Sequence, residues 1–229
     1  MQEQYNRTQR LLGQPALDTL RGAHVAVFGI GGVGGHAAEA LARSGVGELT
    51  YVDNDTVAPS NLNRQIVALH STLGQYKVDV MAARTADIDP DIRVHALRMF
   101  YGPDTAADID LTQFDYVLDC IDTVSSKLML IERCKQAGVP VLSSMGAANK
   151  MDPTAFRVAD ISQTSVCPLA RIVRLECRKR RLGKLKVVFS TEQPLAPLPQ
   201  DDGEAAAPGR RTVPASNAFV PAACGLVMG

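Results

Sequence analysis

A valine-rich run that stops in a cluster of glycines constrains this chain more than any other stretch. Val25-Ala26-Val27-Phe28 is apolar throughout, as a strand buried on both faces is, and Gly29-Ile30-Gly31-Gly32-Val33-Gly34 follows it as GxGGxG. His36 to Leu41 then reads as helix. Glycines suit this turn because the backbone must bend tightly and let phosphate oxygens approach bare N–H groups. Those groups lie at a helix N-terminus, where unpaired donors and the macrodipole favour an anion. A second strand, Glu48 to Asp53, ends in an acid. Its distance from the glycines is close to the roughly 20 residues at which such a carboxylate meets ribose hydroxyls. Strand, glycine turn, helix, strand and acid together predict a nucleotide site at Gly29, Gly31, Gly32, Gly34 and Asp53. The plainer alternative is a tight strand–helix turn that holds nothing.

Length and composition fit one α/β domain: a Rossmann-like, mostly parallel sheet with helices on both faces, extended by a C-terminal α+β segment. The 229 residues are 46% hydrophobic, enough for a substantial core. Residues 1–22 read as an N-terminal arm, 23–148 as the nucleotide-binding core and 149–229 as the C-terminal segment. With 24 basic and 24 acidic residues there is no net bias, so nucleic-acid contact would need a local patch. Five cysteines without a CxxC pair argue against a thiolate zinc site and a disulfide framework. No apolar run approaches membrane-spanning length and no signal peptide is recognisable, so the expectation is a cytoplasmic protein.

Taken in order, Arg7 and Arg10 precede a helix-like Pro15 to Leu20 and are either solvated or an arm that reaches phosphates, on a partner subunit for instance. Pro59 to Gln65 is polar and follows the carboxyl end of a strand, where open α/β sheets bind ligands. Asn61 and Arg64 are therefore ligand candidates, against a helix cap and an exposed arginine. Gly74-Gln75-Tyr76-Lys77 opens a helix running to about Ile88, and a lysine in a first turn opposes the dipole unless it faces an anion. Ile92 to Leu97 is the next strand. Asp115 to Asp122 contains another, ending in Asp119 and Asp122; Asp119 can cap the loop, and Asp122 can hold magnesium or guide a phosphate chain. A helix from Ser126 to Ala137 and a short strand from Val139 to Leu142 follow. Phe156 to Asp160 and Lys184 to Ser190 read as strands, with a helix from Pro168 to Arg181 between them. That helix carries Arg171, Arg174, Arg178, Lys179, Arg180 and Arg181, either a solvated face or a polyanion site. Residues 193–214 are expected to be a mobile loop, and the apolar ending a helix buried against the sheet. Cations and an acid at Arg64, Lys77 and Asp122 favour ATP over a dinucleotide, whose pyrophosphate needs mainly backbone N–H groups.

In this order GIGGVG, Asp53-x-Asp55, Asn61-x-Asn63-Arg64-Gln65, Gly74-Gln75-x-Lys77 and Asp119-x-x-Asp122 resemble the ubiquitin-activating, ThiF/MoeB-type adenylating superfamily over about residues 5–150. The resemblance implies transfer of AMP from ATP onto a carboxylate, with magnesium, in a homodimer. It implies that Gly31 and its neighbours hold phosphate and Asp53, with Asp55 beside it, the ribose side. Asn61, Arg64 and Lys77 would grip the triphosphate, and Asp122 would lie at the magnesium and α-phosphate. Arg7, in Tyr5-Asn6-Arg7, resembles an arginine given across the dimer to the partner's ATP.

Ser143 to Pro153, Ala159 to Ser162, Val187 to Ser190 with Glu192, and Ser216 to Pro221 resemble more narrowly the tRNA threonylcarbamoyladenosine dehydratase branch. That branch implies adenylation of a threonyl carboxylate on tRNA and ring closure by a nitrogen of the same side chain, with AMP leaving. Residues 149–229 would then face tRNA, and a cysteine-desulfurase or sulfur-relay partner is a further expectation. Three departures stand out. Cys167 replaces an acid before Pro168, Gly35 replaces a serine, and the C-terminal helix is expected to continue beyond Gly229. The competing readings are activation of a ubiquitin-like sulfur carrier's C-terminus, a nucleotide-binding scaffold without turnover, and a NAD oxidoreductase. Absence of paired CxxC ligands and the basic stretch count against the first.

Overall fold

Seven strands form one sheet in the order β3-β2-β1-β4-β5-β7-β6 in the computed structural model, which describes residues 3–196, 198 and 214–229. The strands are β1 (His24–Phe28), β2 (Glu48–Val52), β3 (Arg93–Leu97), β4 (Tyr116–Asp119), β5 (Val141–Ser144), β6 (Phe156–Asp160) and β7 (Lys186–Ser190). Every neighbouring pair is parallel except β6 and β7, which closes the sheet with an antiparallel edge. Chain order reverses direction at β1, between β2 and β4, and a crevice opens at such a switch point beyond the carboxyl ends of the strands. Register makes those ends flush: Phe28 pairs with Val52 on one side and with Asp119 on the other. The loops after β1, β2 and β4 therefore leave the sheet along one edge.

Helices α3 (Gly34–Ser44), α4 (Lys77–Ile88), α5 (Val124–Ala137) and α6 (Pro168–Lys179) cover the two faces. Alternation along β1 divides the core between them. Ala26 and Phe28 join Val117, Leu130 and Val187 on one side, while Val25 and Val27 join Ala37, Leu49 and Met81 on the other. A strand with both faces buried reads as an unbroken apolar run, which is why Val25 to Phe28 was recognisable.

Several boundaries differ from the sequence expectations, each for a local reason. The N-terminal arm is two helices, α1 (Asn6–Leu12) and α2 (Gln14–Gly22), separated by Gly13 at φ +84°. Tyr5 anchors them: its hydroxyl donates to the Asp89 carboxylate at 2.7 Å. Helix α3 begins two residues before His36, because glycines carry no side chain to mark a helical period. Strand β5 runs two residues beyond Leu142; its Ser143 and Ser144 are polar yet buried. Helix α6 stops at Lys179, so Arg180 and Arg181 lie beyond it, the latter in the left-handed region at φ +55°. The expected loop over 193–214 falls mostly at 197 and 199–213, outside the described residues. The apolar ending forms α7 (Val220–Met228), packed against α3 as well as the sheet. At Gly225 a Cβ would meet the Val33 carbonyl oxygen at 2.2 Å, so only glycine permits this approach.

Candidate active site

The turn after β1 is built for close backbone contact. Gly29 has φ +89°, and a Cβ there would meet the Cys120 carbonyl oxygen at 2.8 Å. A Cβ at Gly34 would meet the Gly29 carbonyl oxygen at 1.8 Å. These two glycines let β1 turn into α3 beside β4, a steric requirement independent of any ligand. Gly31 differs: nothing lies within 4 Å of where its Cβ would sit, so there is open space beside it just ahead of α3. Beside it, Gly32 is covered by the Arg64 side-chain stem and by Pro221 of α7.

Asp53 ties the loop after β2 to that turn. Its carboxylate accepts from the Ile30 N–H at 2.6 Å and from the Asp55 N–H at 2.8 Å. Burial raises its pKa above the usual carboxylate value; the two N–H donors and the Lys77 charge oppose this without cancelling it. A desolvated carboxylate fixed by backbone donors is suited to accept from hydroxyls. Lys77, at the first position of α4, keeps only 6% of its side chain exposed and donates to Asp55 at 2.7 Å. The cation thus lies against the carboxylate cluster that closes on the glycine turn. Its position opposing the helix dipole is offset by that pair.

Arg64 donates to the Ser60 carbonyl at 2.7 Å and to Asn63 Oδ1 at 2.8 Å, so its guanidinium is held over the loop after β2. Asn61 is buried and its Oδ1 accepts from the Ala58 N–H at 3.1 Å, which leaves its amide nitrogen as the group able to donate elsewhere. Gln65 Oε1 is buried without a hydrogen-bond partner, the one such side-chain atom among the described residues. Asp122 is exposed just past β4, within reach of the Thr123 hydroxyl at 3.4 Å. Asp53, Asp55, Arg64, Lys77 and Asp122 therefore share the edge onto which the glycine turn opens.

Beneath Asp122 lies a network that the sequence reading missed. Lys127, on α5, is fully buried; its Nζ donates to Asp119 at 2.8 Å, to Ser143 Oγ at 3.3 Å and to the Ser144 carbonyl at 3.0 Å. Ser143 donates to the same Asp119 oxygen at 2.5 Å, and the other oxygen accepts from the Ile121 N–H at 3.1 Å. Asp119 thus caps the loop as expected, but as one member of a buried ionic cluster joining β4, β5 and α5. The available signal was a lone lysine directly preceding the apolar run Leu128 to Ile131.

Two groups of candidates lie away from this edge. Arg7 is exposed on α1, and its neighbour Tyr5 packs against Gly45, at the end of α3 opposite the glycine turn. Within one chain Arg7 does not join the site. The basic group sits on and after α6, which packs against α5. Arg174 donates to the Thr164 carbonyl at 2.9 Å and to its hydroxyl, and Arg180 pairs with Glu132 at 2.9 Å and with Glu176. Arg171, Arg178, Lys179 and Arg181 are exposed. A groove of about 450 Å³ opens at the start of α6, lined by Val166, Arg171, Ile172 and Leu175. Cys167 is buried there, its sulfur 3.4 Å from where a Gly146 Cβ would lie. All five cysteines are free. Burial pushes Cys134 and Cys224 up to about 12 and Cys120 well above its ordinary value, so none of these three supplies a thiolate nucleophile.

The family model described as the ThiF family matches residues 3–194. The tRNA threonylcarbamoyladenosine dehydratase of Bacillus subtilis (strain 168) is 47% identical over 236 residues, covering 100% of this chain and 92% of that protein. That of Escherichia coli (strain K12) is 41% identical over 209 residues, covering 88% and 77%. The solved structure of E. coli tRNA N6-threonylcarbamoyladenosine dehydratase in complex with ATP is similar at a TM-score of 0.86 and 36% identity, over 98% of this chain and 90% of that one.

Proposed function

Since the chain belongs to the ThiF family, we propose that it adenylates the threonyl carboxylate of threonylcarbamoyladenosine in tRNA and promotes its cyclisation. The observation carrying this reading is the shared edge: an open glycine turn and Asp53 on one side, Arg64, Lys77 and Asp122 around it. In the first step a carboxylate oxygen attacks the α-phosphorus of ATP, the bond to the β-phosphate bridge breaks, and pyrophosphate leaves. In the second, a nitrogen of the same side chain attacks the activated carbonyl. It loses its proton as AMP departs with the former carboxylate oxygen, so the net change is loss of water. Tethering the nucleophile within one side chain supplies effective concentration, and no protein thiolate is needed.

The N–H groups at the open start of α3 receive phosphate oxygens, and the Asp53 carboxylate accepts from ribose hydroxyls. Arg64 and Lys77 stabilise negative charge as it shifts onto the leaving pyrophosphate. Asn61 supports them through its amide nitrogen. The exposed Asp122 carboxylate offers the hard oxygen donor that magnesium prefers, and magnesium entering with ATP supplies further charge neutralisation there. Arg7 completes the site of a second copy: α1 carries it beside Leu11 and Leu12, which are 82% and 51% exposed and suit burial in a homodimer. The exposed cations on and after α6 receive tRNA phosphates. A cysteine-desulfurase or sulfur-relay partner would dock outside this edge, since the chemistry itself needs no sulfur.

The test is pyrophosphate release with three acceptors: tRNA bearing threonylcarbamoyladenosine, the same tRNA without it, and a ubiquitin-like sulfur carrier. Release only with the modified tRNA, together with its loss of water, is the expected result. Release with the carrier and not with tRNA would overturn it.

A further inference from the structure

At the opposite end of the sheet, three side chains from adjacent strands converge: His24 from β1, Glu48 from β2 and His95 from β3. One donor atom from each lies within 4.8 Å of the other two. Glu48 Oε1 stands 2.7 Å from His95 Nε2 and 3.8 Å from His24 Nδ1. From this geometry we propose a divalent metal site, distinct from the nucleotide edge, that takes zinc on His24 Nδ1, Glu48 Oε1 and His95 Nε2.

Register builds the cluster. His24 pairs with Glu48 and Thr50 with His95, so the three project from one face of the parallel sheet. The ligands are also aimed from outside. His24 Nε2 lies 2.8 Å from Thr50 Oγ1, and in the tautomer that donates this proton Nδ1 turns its lone pair toward the Glu48 carboxylate. Arg93 holds Glu48 Oε2 at 2.7 Å, which orients Oε1 toward the two imidazoles. Phe114 meets the His24 ring edge-on with centroids 4.8 Å apart and limits its rotation. Hydrogen bonds and packing around ligating groups fix their direction in this way in zinc sites.

Two imidazoles and one carboxylate form a donor set that zinc accepts, with bonds of about 2.0–2.2 Å. Reaching tetrahedral spacing requires Glu48 Oε1 and His95 Nε2 to separate slightly, which an exposed imidazole allows. Side-chain exposure rises from 13% at His24 through 24% at Glu48 to 43% at His95, so ion and solvent enter from the His95 side. A fourth position is left to water. Strands of this length put the cluster roughly 15 Å from the glycine turn, too far to act on ATP. Its effect is to clamp the amino ends of β1 and β2 to the middle of β3.

The test uses the full-length chain without an affinity tag, stripped with chelator and titrated with zinc alone or cobalt(II) alone while magnesium is held in excess. Uptake of one equivalent, a rise in melting temperature, and cobalt ligand-field absorption of tetrahedral intensity are expected. His95→Gln and Glu48→Gln should each weaken uptake by more than the about 10–100-fold seen for residues that merely orient ligands. Arg93→Gln should retain the bound metal. Because His95 is exposed, its variant tests the ligand without emptying the core, and its melting temperature in chelator should match the parent's. No uptake in the parent, or uptake unchanged in both His95→Gln and Glu48→Gln, would overturn the site.

Discussion

Lys127 is a charge taken wholly out of water, held by one carboxylate, one hydroxyl and one carbonyl. Such a pair adds little net stability over apolar residues, but removing one partner strands the other. Lys127→Met leaves Asp119 buried with only Ser143 and the Ile121 N–H. We expect a loss of about 3–5 kcal/mol of stability. In thermal denaturation that is roughly 2–4 °C per kcal/mol for a chain of this size. Replacing Asp119 by leucine in the same protein should restore much of the loss, because no orphaned charge then remains; no recovery would mean the lysine acts through something other than this pair. The network also fixes where Asp122 begins, since Asp119 binds the Ile121 N–H one residue before it.

Helix α6 shows what an element's charge can and cannot do. The six cations on and after it look alike in sequence, yet Arg174 spends its guanidinium on Thr164 and Arg180 on Glu132 and Glu176. Arg171 and Arg178 are the two arginines of the helix that face solvent, with Lys179 exposed beside them. Reversing both to glutamate should lower the slope of log affinity for tRNA against log salt by roughly one and a half, at about 0.7–0.9 per lost contact. ATP affinity should stay unchanged, and an unaltered slope would make α6 a solvated face. Arg174→Glu should instead lower the melting temperature, by releasing the Thr164 turn. The strands and the glycine turn were legible in sequence because their signals are contiguous: an apolar run, fixed glycine spacing, an acid at the strand end. Lys77 was legible as a cation at a helix start, but its Asp55 partner was legible only through the motif. What escaped depends on neighbours distant in the chain. Ser143 looks like loop until Lys127, sixteen residues earlier, makes it a buried strand end. Arg174 and Arg178 share a helical period, yet one faces the 161–164 turn and the other solvent.

Across the whole molecule, Arg7 and the glycine turn lie toward opposite ends of α3, a helix of 11 residues and therefore about 16 Å long. A site that uses both must draw them from two copies. Mixing inactive Arg7→Ala chains with inactive Asp122→Ala chains should therefore restore partial pyrophosphate release, since one site of each mixed pair is intact. A fully active monomer by light scattering would rule this out. The closeness of α7 to α3 has a separate consequence, for how the protein is made. Gly225 rests on the Val33 carbonyl and Pro221 on Gly32, so the wall of a turn encoded near residue 30 comes from residues beyond 220. While the chain is being synthesised, the first βαβ unit can form early, but its phosphate-facing turn stays uncovered until those later residues leave the ribosome. Nascent chains halted before Val220 would expose the apolar flank of α3 to chaperones, making the capacity to hold ATP a late event in the protein's biogenesis.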